Sequence, residues 1–380
     1  MKQLVLAGAG HAHLHVLKAL AERPWPDVEV TLVSPYSRQI YSGMLPGWMA
    51  GHYSLDQCAA VLQPLLAAAG VRFVQDSVVG VDAPRRVIQT ENCGEIAYDA
   101  LSLDTGAQVD LSFLVATDAT LLSIRPIEDF VVGWRRQLEL FKQRGVASLA
   151  VVGGGAAGVE LALAARYRLT RELGASKGLV KFVVGGLLPG HGPSIVARVT
   201  KTLARHRIEL VKGYASGCLS GLELRDGTSV PVDCIIAATG VKPASWLADS
   251  GLALAPDGFI AVEDGQKSVS HKEVFAAGDI ASRIDAPHAK SGVYAVRAGP
   301  VLATNLNRVL TGQAPMSYQP QKRSLYLLAT GPKEAIMSWG RFSASGGWAW
   351  LWKDWIDRRF MRQYDINPTS EAEGKRKLEN

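Results

Sequence analysis

The chain has 380 residues, of which 48% are hydrophobic and 20% are charged. This composition is typical of a folded protein with room for two or three domains, and it excludes a disordered chain. The net charge of +6 permits attraction to anionic lipid or to nucleic acid, but the basic residues are scattered and form no recognition module, so we predict no nucleic-acid partner.

The cysteines and the apolar runs indicate the cellular compartment of the protein and whether it crosses a membrane. The four cysteines lie far apart and form no C-x-x-C pair, which excludes a zinc knuckle and an adjacent redox dithiol. Leu4–Ala7 is too short for a signal peptide, and no run reaches the roughly 18 apolar residues of a spanning helix. We predict free thiols and a cytoplasmic protein that is soluble or peripheral on the cytoplasmic face of a membrane.

The chain begins with a pattern of strand, glycine turn, helix and strand. Gln3–Ala7 predicts a buried strand, Gly8-Ala9-Gly10 a turn, and Val28–Val33 a second strand. This is a dinucleotide-binding unit, in which the N-terminus of the helix meets phosphate charge. The third glycine of G-x-G-x-x-G is replaced by His13, which should push helix and strand slightly apart or turn its imidazole along the loop.

Two further histidines allow a different interpretation of this loop. His11 and His15 lie one helical turn apart, a spacing that metal ligands use. No nearby carboxylate or cysteine completes a ligand set, so we predict no metal site. A dinucleotide loop with one substitution fits better, with Gly8, Gly10, His11 and Ala12 as cofactor contacts.

The same pattern recurs in complete form in the middle of the chain. Ser148–Val152 predicts a strand, Val159–Arg171 a helix and Val180–Val184 another strand. The glycines between the first strand and the helix are Gly153, Gly155 and Gly158. Their spacing allows a tight turn, close approach of backbone N–H groups to a pyrophosphate, and close packing of helix on strand.

Three later strands end in short polar motifs. These motifs are Thr105-Gly106, Thr239-Gly240 and Gly278-Asp279. Asp279 follows a glycine that lets the backbone come close to a ligand, and its carboxylate can accept a hydrogen bond from a polyol hydroxyl. The alternative is that Asp279 is an ordinary N-cap of the next helix.

In this order, the motifs resemble the flavoproteins with two dinucleotide-binding domains, the pyridine nucleotide–disulfide oxidoreductase superfamily. The resemblance implies an α/β fold with two Rossmann-like domains, the second inserted in the first, plus a small C-terminal region. It implies FAD on the first loop, with Asp279 holding the ribityl or pyrophosphate portion, and NADH or NADPH on the second. The implied boundaries are residues 1–111 and 236–315 for the FAD domain, 112–235 for the NAD(P) domain, 316–370 for the C-terminal region and 371–380 for a disordered tail.

Two segments narrow the resemblance. Tyr41–Gly51 and Lys290–Arg297 are similar to type II NADH dehydrogenases and sulfide:quinone oxidoreductases, and closer still to the flavoprotein module that is fused to selenide, water dikinase. This similarity implies that Ser42 and Gly43 lie on the flavin side. The glutamines of the family's quinone-side pattern are absent from residues 289–294.

The ribose ends of both sites depart from the family. Ser34-Pro35 stands where relatives have an acid for the adenosine ribose; the Ser34 hydroxyl can still bond a ribose hydroxyl. Val184-Gly185-Gly186 offers neither an acid for NAD nor an arginine for a 2′-phosphate, so the choice between NADH and NADPH stays open.

Two charged residues are candidates for a role in the reaction. The helix that starts near Lys290 can bring its N-terminus and the lysine to the N1–C2=O edge of a reduced flavin; the alternative is a solvated surface lysine. Glu160 stands where relatives place an acid near the nicotinamide carboxamide; the alternative is a buried residue paired elsewhere.

The segment 346–364 predicts an amphipathic helix. One face carries Trp348, Leu351, Trp352, Trp355 and Ile356, and the other carries Lys353, Asp354 and Asp357. A tryptophan face with flanking arginines suits the lipid headgroup layer. The alternatives are packing on the FAD domain or a homodimer interface.

Three functions fit these observations. The first is an FAD-dependent NAD(P)H oxidoreductase that passes electrons to a quinone without a redox disulfide. The second is a flavoprotein reductase of a soluble acceptor, such as a selenium or sulfur species. The third is a non-catalytic flavin or nucleotide sensor.

Overall fold

The computed structural model describes residues 1–321, 324–340 and 342–366. The first segment of the chain forms ten strands and three helices among its described residues. The strands are β1 (Lys2–Ala7), β2 (Val28–Val33), β3 (Arg38–Ile40), β4 (Ala59–Val61), β5 (Arg72–Val74), β6 (Val78–Asp82), β7 (Val87–Thr90), β8 (Glu95–Ala97), β9 (Ala100–Leu103) and β10 (Gln108–Val109). The helices are α1 (His11–Glu22), α2 (Leu45–Met49) and α3 (Leu62–Ala69).

The remaining elements follow in chain order. The second segment contains α4 (Ile127–Arg144), α5 (Ala156–Leu173) and α6 (Pro193–Arg205) with β11 (Thr120–Ser123), β12 (Ala147–Val152), β13 (Gly178–Val184), β14 (Glu209–Lys212), β15 (Ala215–Cys218), β16 (Gly221–Leu224), β17 (Ser229–Pro231) and β18 (Cys234–Ala237). The third contains β19 (Val241–Lys242), β20 (Ile260–Glu263), β21 (Lys267–Ser268), β22 (Val274–Ala276), β23 (Ala281–Arg283) and α7 (Gly292–Leu310). The last contains β24 (Leu325–Ala329), β25 (Ala335–Trp339), β26 (Phe342–Gly346) and α8 (Gly347–Arg362).

An eight-stranded sheet joins the first segment to the third, in the order β23-β20-β21-β22-β9-β1-β2-β5. Strand β1 pairs in parallel with β2 and β9, and β9 pairs in parallel with β22. Leu4 and Leu6 of β1 pack into one core and Val5 and Ala7 into another. A strand buried on both faces requires a continuous apolar run, which explains this part of the sequence.

The chain between the two parts of the larger sheet forms a second, separate sheet. Its order is β11-β18-β12-β13-β14, and all of its pairs are parallel. Its strands come from residues 120–237, between the two parts of the chain that form the larger sheet. The predicted α/β fold with two Rossmann-like cores is therefore confirmed.

The C-terminal region forms an antiparallel sheet, β24-β25-β26, followed by α8. Trp350 of α8 packs into the core around α5, while Phe360 and Tyr364 join the core around α1. Within the part of the chain that is described, no helix has the length and apolar character needed to cross a bilayer. The predicted disordered tail, 371–380, lies outside the described residues.

Candidate functional site

The first glycine turn brings the start of α1 against the end of β9. Gly8 has φ +86°, and a Cβ there would lie 2.5 Å from the carbonyl oxygen of Asp104. Gly10 is the N-cap residue of α1 and supplies no side-chain cap. A Cβ on Gly10 would lie 2.2 Å from the carboxyl carbon of Asp104. Both positions therefore require glycine.

His13 is accommodated in place of the third glycine because its imidazole turns along the loop to the carbonyl oxygen of Gly8, the second of the two arrangements predicted. The side chain is fully buried. Its Nδ1 lies 2.5 Å from the carbonyl oxygen of Gly8, and its Nε2 lies 2.7 Å from Oγ of Ser102. Burial lowers the pKa of His13 to about 4. The neutral ring can donate to Gly8 and accept from Ser102.

Asp104 is a further site residue, which none of the sequence motifs includes. Its Oδ2 accepts hydrogen bonds from the N–H groups of Ala12, at 2.8 Å, and His13, at 3.2 Å. The N–H of Ala12, which we predicted as a cofactor contact, is therefore already bonded. Burial raises the pKa of Asp104 to about 7. An acid directly before Thr-Gly, at the end of a strand beside β1, is the sequence signal that could have identified it.

Asp279 and His11 form a second polar group at this edge. Asp279 lies in the short turn Gly278–Ile280, and its Oδ2 is 2.5 Å from Nη1 of Arg125. Burial lowers the pKa of His11 to about 4. Its Nε2 is buried and has no hydrogen-bond partner among the described residues. Because buried polar atoms are normally bonded, a polar group of a bound cofactor fits here.

His11 and His15 contact aromatic residues near the C-terminal end of α8. His15 accepts or donates through Nε2 to the Tyr364 hydroxyl at 2.9 Å. The rings of His11 and His15 both contact that of Phe360. In residues 1–321, 324–340 and 342–366 no group of three or more His, Cys, Asp and Glu side chains could hold a metal ion.

The predicted contacts at the ends of β2 and β9 lie on either side of the first turn. Ser34 is buried, and its hydroxyl lies 3.3 Å from the carbonyl oxygen of Tyr36. Pro35 and Thr105 are exposed, and Gly106 has φ +76°. These positions flank β1 at the edge where parallel sheets bind nucleotides.

The predicted flavin-side residues meet at the start of α7. A Cβ on Gly292 would lie 3.3 Å from Oγ of Ser42, so the loop that carries Ser42 and Gly43 faces the N-terminus of this helix. The Lys290 ammonium donates to the carbonyl of Ala281 at 2.5 Å and to Oγ of Ser282 at 2.7 Å. Burial lowers the pKa of Lys290 to about 8. Lys290 is therefore held by the protein rather than solvated.

The second glycine turn forms a cradle at the start of α5. Gly153 has φ +123°, and a Cβ on Gly158 would lie 1.9 Å from the carbonyl oxygen of Gly153. A Cβ on Gly155 would face open space, and Gly155 leaves α5 without a side-chain cap. This free helix N-terminus fits a pyrophosphate. Thr239 and Gly240 follow β18 beside the turn, with Oγ1 of Thr239 3.4 Å from the carbonyl oxygen of Asp110.

Glu160 belongs to a buried charge cluster with α8. Its Oε1 accepts the N–H of Ala329 at 2.8 Å, and burial raises its pKa to about 7. The nearby Lys353 ammonium donates to Oδ2 of Asp357 at 2.9 Å and to the carbonyl of Gly43 at 2.7 Å. Glu160 is thus partly buried and bonded to the backbone of Ala329, and its contact with the nicotinamide stays a prediction.

Helix α8 turns its charged residues inward together with Trp350 and Phe360, and it leaves other large apolar side chains exposed. Besides Lys353 and Asp357, the inner side includes Asp354, whose Oδ1 accepts the Tyr53 hydroxyl at 2.7 Å. The exposed side chains are Trp348 at 49%, Leu351 at 63%, Trp352 at 39% and Trp355 at 51%. Ile356 is half-buried. The two faces were predicted, but the sequence did not indicate that the charged one is buried.

The chain is similar to known proteins in sequence and in fold. The NADH dehydrogenase-like protein YutJ of Bacillus subtilis is 22% identical over 342 residues, which cover 88% of this chain and 91% of that protein. The sulfide:quinone oxidoreductase of Aquifex aeolicus superposes with a TM-score of 0.79 at 18% identity, over 98% of this chain and 94% of that one. NDH2 of Plasmodium falciparum in complex with NADH gives a TM-score of 0.80 at 14% identity, over 97% and 98%.

The family model described as pyridine nucleotide-disulphide oxidoreductase matches residues 2–299, which include both glycine turns. The chain therefore belongs to this family of NAD(P)H-dependent flavoprotein oxidoreductases, with FAD and NAD(P)H as its cofactors.

Proposed function

We propose that this flavoprotein takes a hydride from NADH or NADPH and passes the electrons to a quinone-type acceptor at a membrane surface. The observation that carries the proposal is the orientation of α8. Its exposed face presents Trp348, Trp352 and Trp355, while its buried face bonds the carbonyl of Gly43 on the flavin-side loop. A lipid-soluble acceptor drawn to this face would arrive one helix away from the loop of Gly43.

The absence of a redox disulfide supports a small acceptor. All four cysteines lie in the described part of the chain and are free thiols, and Cys58 and Cys234 are buried. Electrons therefore have no thiol relay to follow. The fold shared with a sulfide:quinone oxidoreductase and with NDH2 is consistent with a quinone.

We assign the chemistry to a few side chains. Bound FAD supplies hydride acceptance at N5 and releases electrons singly or in pairs. Lys290 and the N-terminus of α7 stabilise negative charge at the pyrimidine edge. Glu160 orients the nicotinamide carboxamide and holds a proton on its carboxyl near neutral pH. Asp279, paired with Arg125, orients the ribityl chain.

Anaerobic reduction tests the first half of the proposal. The purified protein should be yellow and should bleach on addition of NADH or NADPH, and the faster nucleotide is the substrate. Reoxidation is then compared among a short-chain quinone, oxygen, and soluble sulfur or selenium species. A flavin that NADH and NADPH both fail to reduce would identify a sensor, and faster reoxidation by a soluble species would overturn the quinone.

A tryptophan variant tests the membrane surface. The double substitution Trp352→Ser and Trp355→Ser should weaken binding to anionic vesicles, because each half-exposed indole contributes about 2 kcal/mol on burial. Leu219→Ser, at a 77% exposed position remote from α8, is the matched control. Unchanged vesicle binding in the double variant would refute the membrane surface. Loss of a dimer in lipid-free buffer would assign the face to self-association instead.

A further inference from the structure

The carboxyl of Asp104 occupies the place where two glycines and a helix N-terminus meet. A Cβ on Gly10 or on Gly278 would lie 2.2 Å or 2.4 Å from its atoms. Its Oδ2 already bonds the N–H groups of Ala12 and His13 in the first turn of α1. Only 4% of the residue is exposed. The pyrophosphate of a dinucleotide also binds at this helix end, so its charge would lie beside the carboxyl.

We propose that Asp104 couples FAD binding to proton uptake, so that its carboxyl is ionised in the FAD-free protein and protonated in the complex. The proton comes from solvent and goes to Oδ1. Oδ2 keeps its two backbone bonds, because a protonated acid still accepts at its carbonyl oxygen. The new O–H can donate toward the phosphates, whereas an ionised carboxyl would repel them.

The charged groups around Asp104 leave it as the group that titrates near neutral pH at this helix end. In the first turn of α1, His11 and His13 are the titratable residues, and burial lowers the pKa of each to about 4, so both stay neutral. Across the turn, Asp279 carries its ion pair with Arg125. Burial, together with the charge of Asp279, raises the pKa of Asp104 to about 7. Phosphate charge would raise it further.

The sign of the linkage follows from these groups. Where the complex binds one proton more than the free protein, the Kd for FAD rises about tenfold per pH unit. For the wild type this rise should begin near pH 7. Asp104→Asn preserves the shape and accepts the same two N–H bonds, but it cannot ionise. The variant should bind FAD with a nearly constant Kd from about pH 6 to about pH 8.

The experiment is a titration of the FAD-free protein with FAD, followed by flavin fluorescence across this pH range. Calorimetry in buffers of different ionisation enthalpy gives the proton count directly. At about pH 7.5 the wild type should take up more than half a proton per FAD, and Asp104→Asn should lose that uptake. A wild-type Kd that does not change with pH, or an uptake that survives in Asp104→Asn, would overturn the proposal.

One variant separates Asp104 from a second carboxyl that titrates near neutral pH. Glu160→Gln removes a carboxyl whose pKa is also near 7, but which faces Lys353 and Asp357 instead. This variant should retain most of the uptake at about pH 7.5. If Asp104→Asn does not fold, the wild-type proton count alone decides, and no readout depends on NAD(P)H or on an acceptor.

Discussion

The buried ammonium of Lys353 should be the group that holds α8 against the flavin-side loop. Its side chain is 12% exposed and that of its partner Asp357 is 5% exposed, with Nζ and Oδ2 2.9 Å apart. The same ammonium donates to the carbonyl of Gly43 at 2.7 Å. Lys353→Met keeps the length and apolar stem of the side chain and removes the ammonium, with its charge and its hydrogen bonds.

The loss of stability in Lys353→Met can be estimated from these contacts. Breaking a buried pair costs about 3–5 kcal/mol, because the remaining charge is left uncompensated. Glu160 also loses the positive charge of Lys353, which lowers its pKa, so the pKa of both carboxyls rises in the folded variant. A folded-state pKa above the unfolded value near 4 means that stability falls as the pH rises. The deficit of Lys353→Met against the wild type should therefore be larger at about pH 8 than at about pH 5.

Native-state hydrogen exchange measures the local stability of α8 and of the loop that it contacts. The amides of α8 and of residues 41–53 should exchange through a less costly opening in the variant, while those of β12 and β13 should be unchanged. Lys142→Met is the matched control, since Lys142 pairs with Glu139 in solvent at 40% and 61% exposure; it should leave α8 unaffected. Protection of α8 that is the same in Lys353→Met and in the wild type would refute this account of the helix.

Two other predictions concern single buried groups. His13→Gly restores the glycine of the family pattern but should lower the free energy of unfolding by about 2–4 kcal/mol, because Ser102 loses its partner and a helix gains a glycine; thermal unfolding of the FAD-free protein measures it, and an equally stable variant would contradict the role of the imidazole. For Glu160, whose pKa is about 7, the rate of anaerobic flavin reduction should change across neutral pH as the carboxyl ionises. Glu160→Gln should remove that inflection, and a stopped-flow profile with the inflection intact would assign it to another group.

The sequence predicted several features that depend only on residues close together in the chain. The strand Val28–Val33 has the bounds predicted, and both glycine turns lie between a strand and a helix as expected. The sequence could not reveal partners that fold in from afar. The imidazole of His13 finds its acceptor and donor on Gly8 and on Ser102, 89 positions away. The spacing of the charged residues in α8 predicts a polar face. It does not predict that Lys353 donates to the carbonyl of Gly43, which is distant in sequence.

The orientation of α8 bears on where the electron acceptor enters. The inner side of α8 buries Trp350 and Phe360 together with Asp357. The bonds from Lys353 to Gly43 and from Tyr53 to Asp354 keep the charged residues on that side and leave three other tryptophans exposed. An exposed apolar face gains about 25 cal/mol per Å² when a lipid or protein surface covers it, so covering is favoured. Under the proposed function, an acceptor that enters from this covering surface would meet the loop of Gly43 first, because the inner side of α8 bonds that loop.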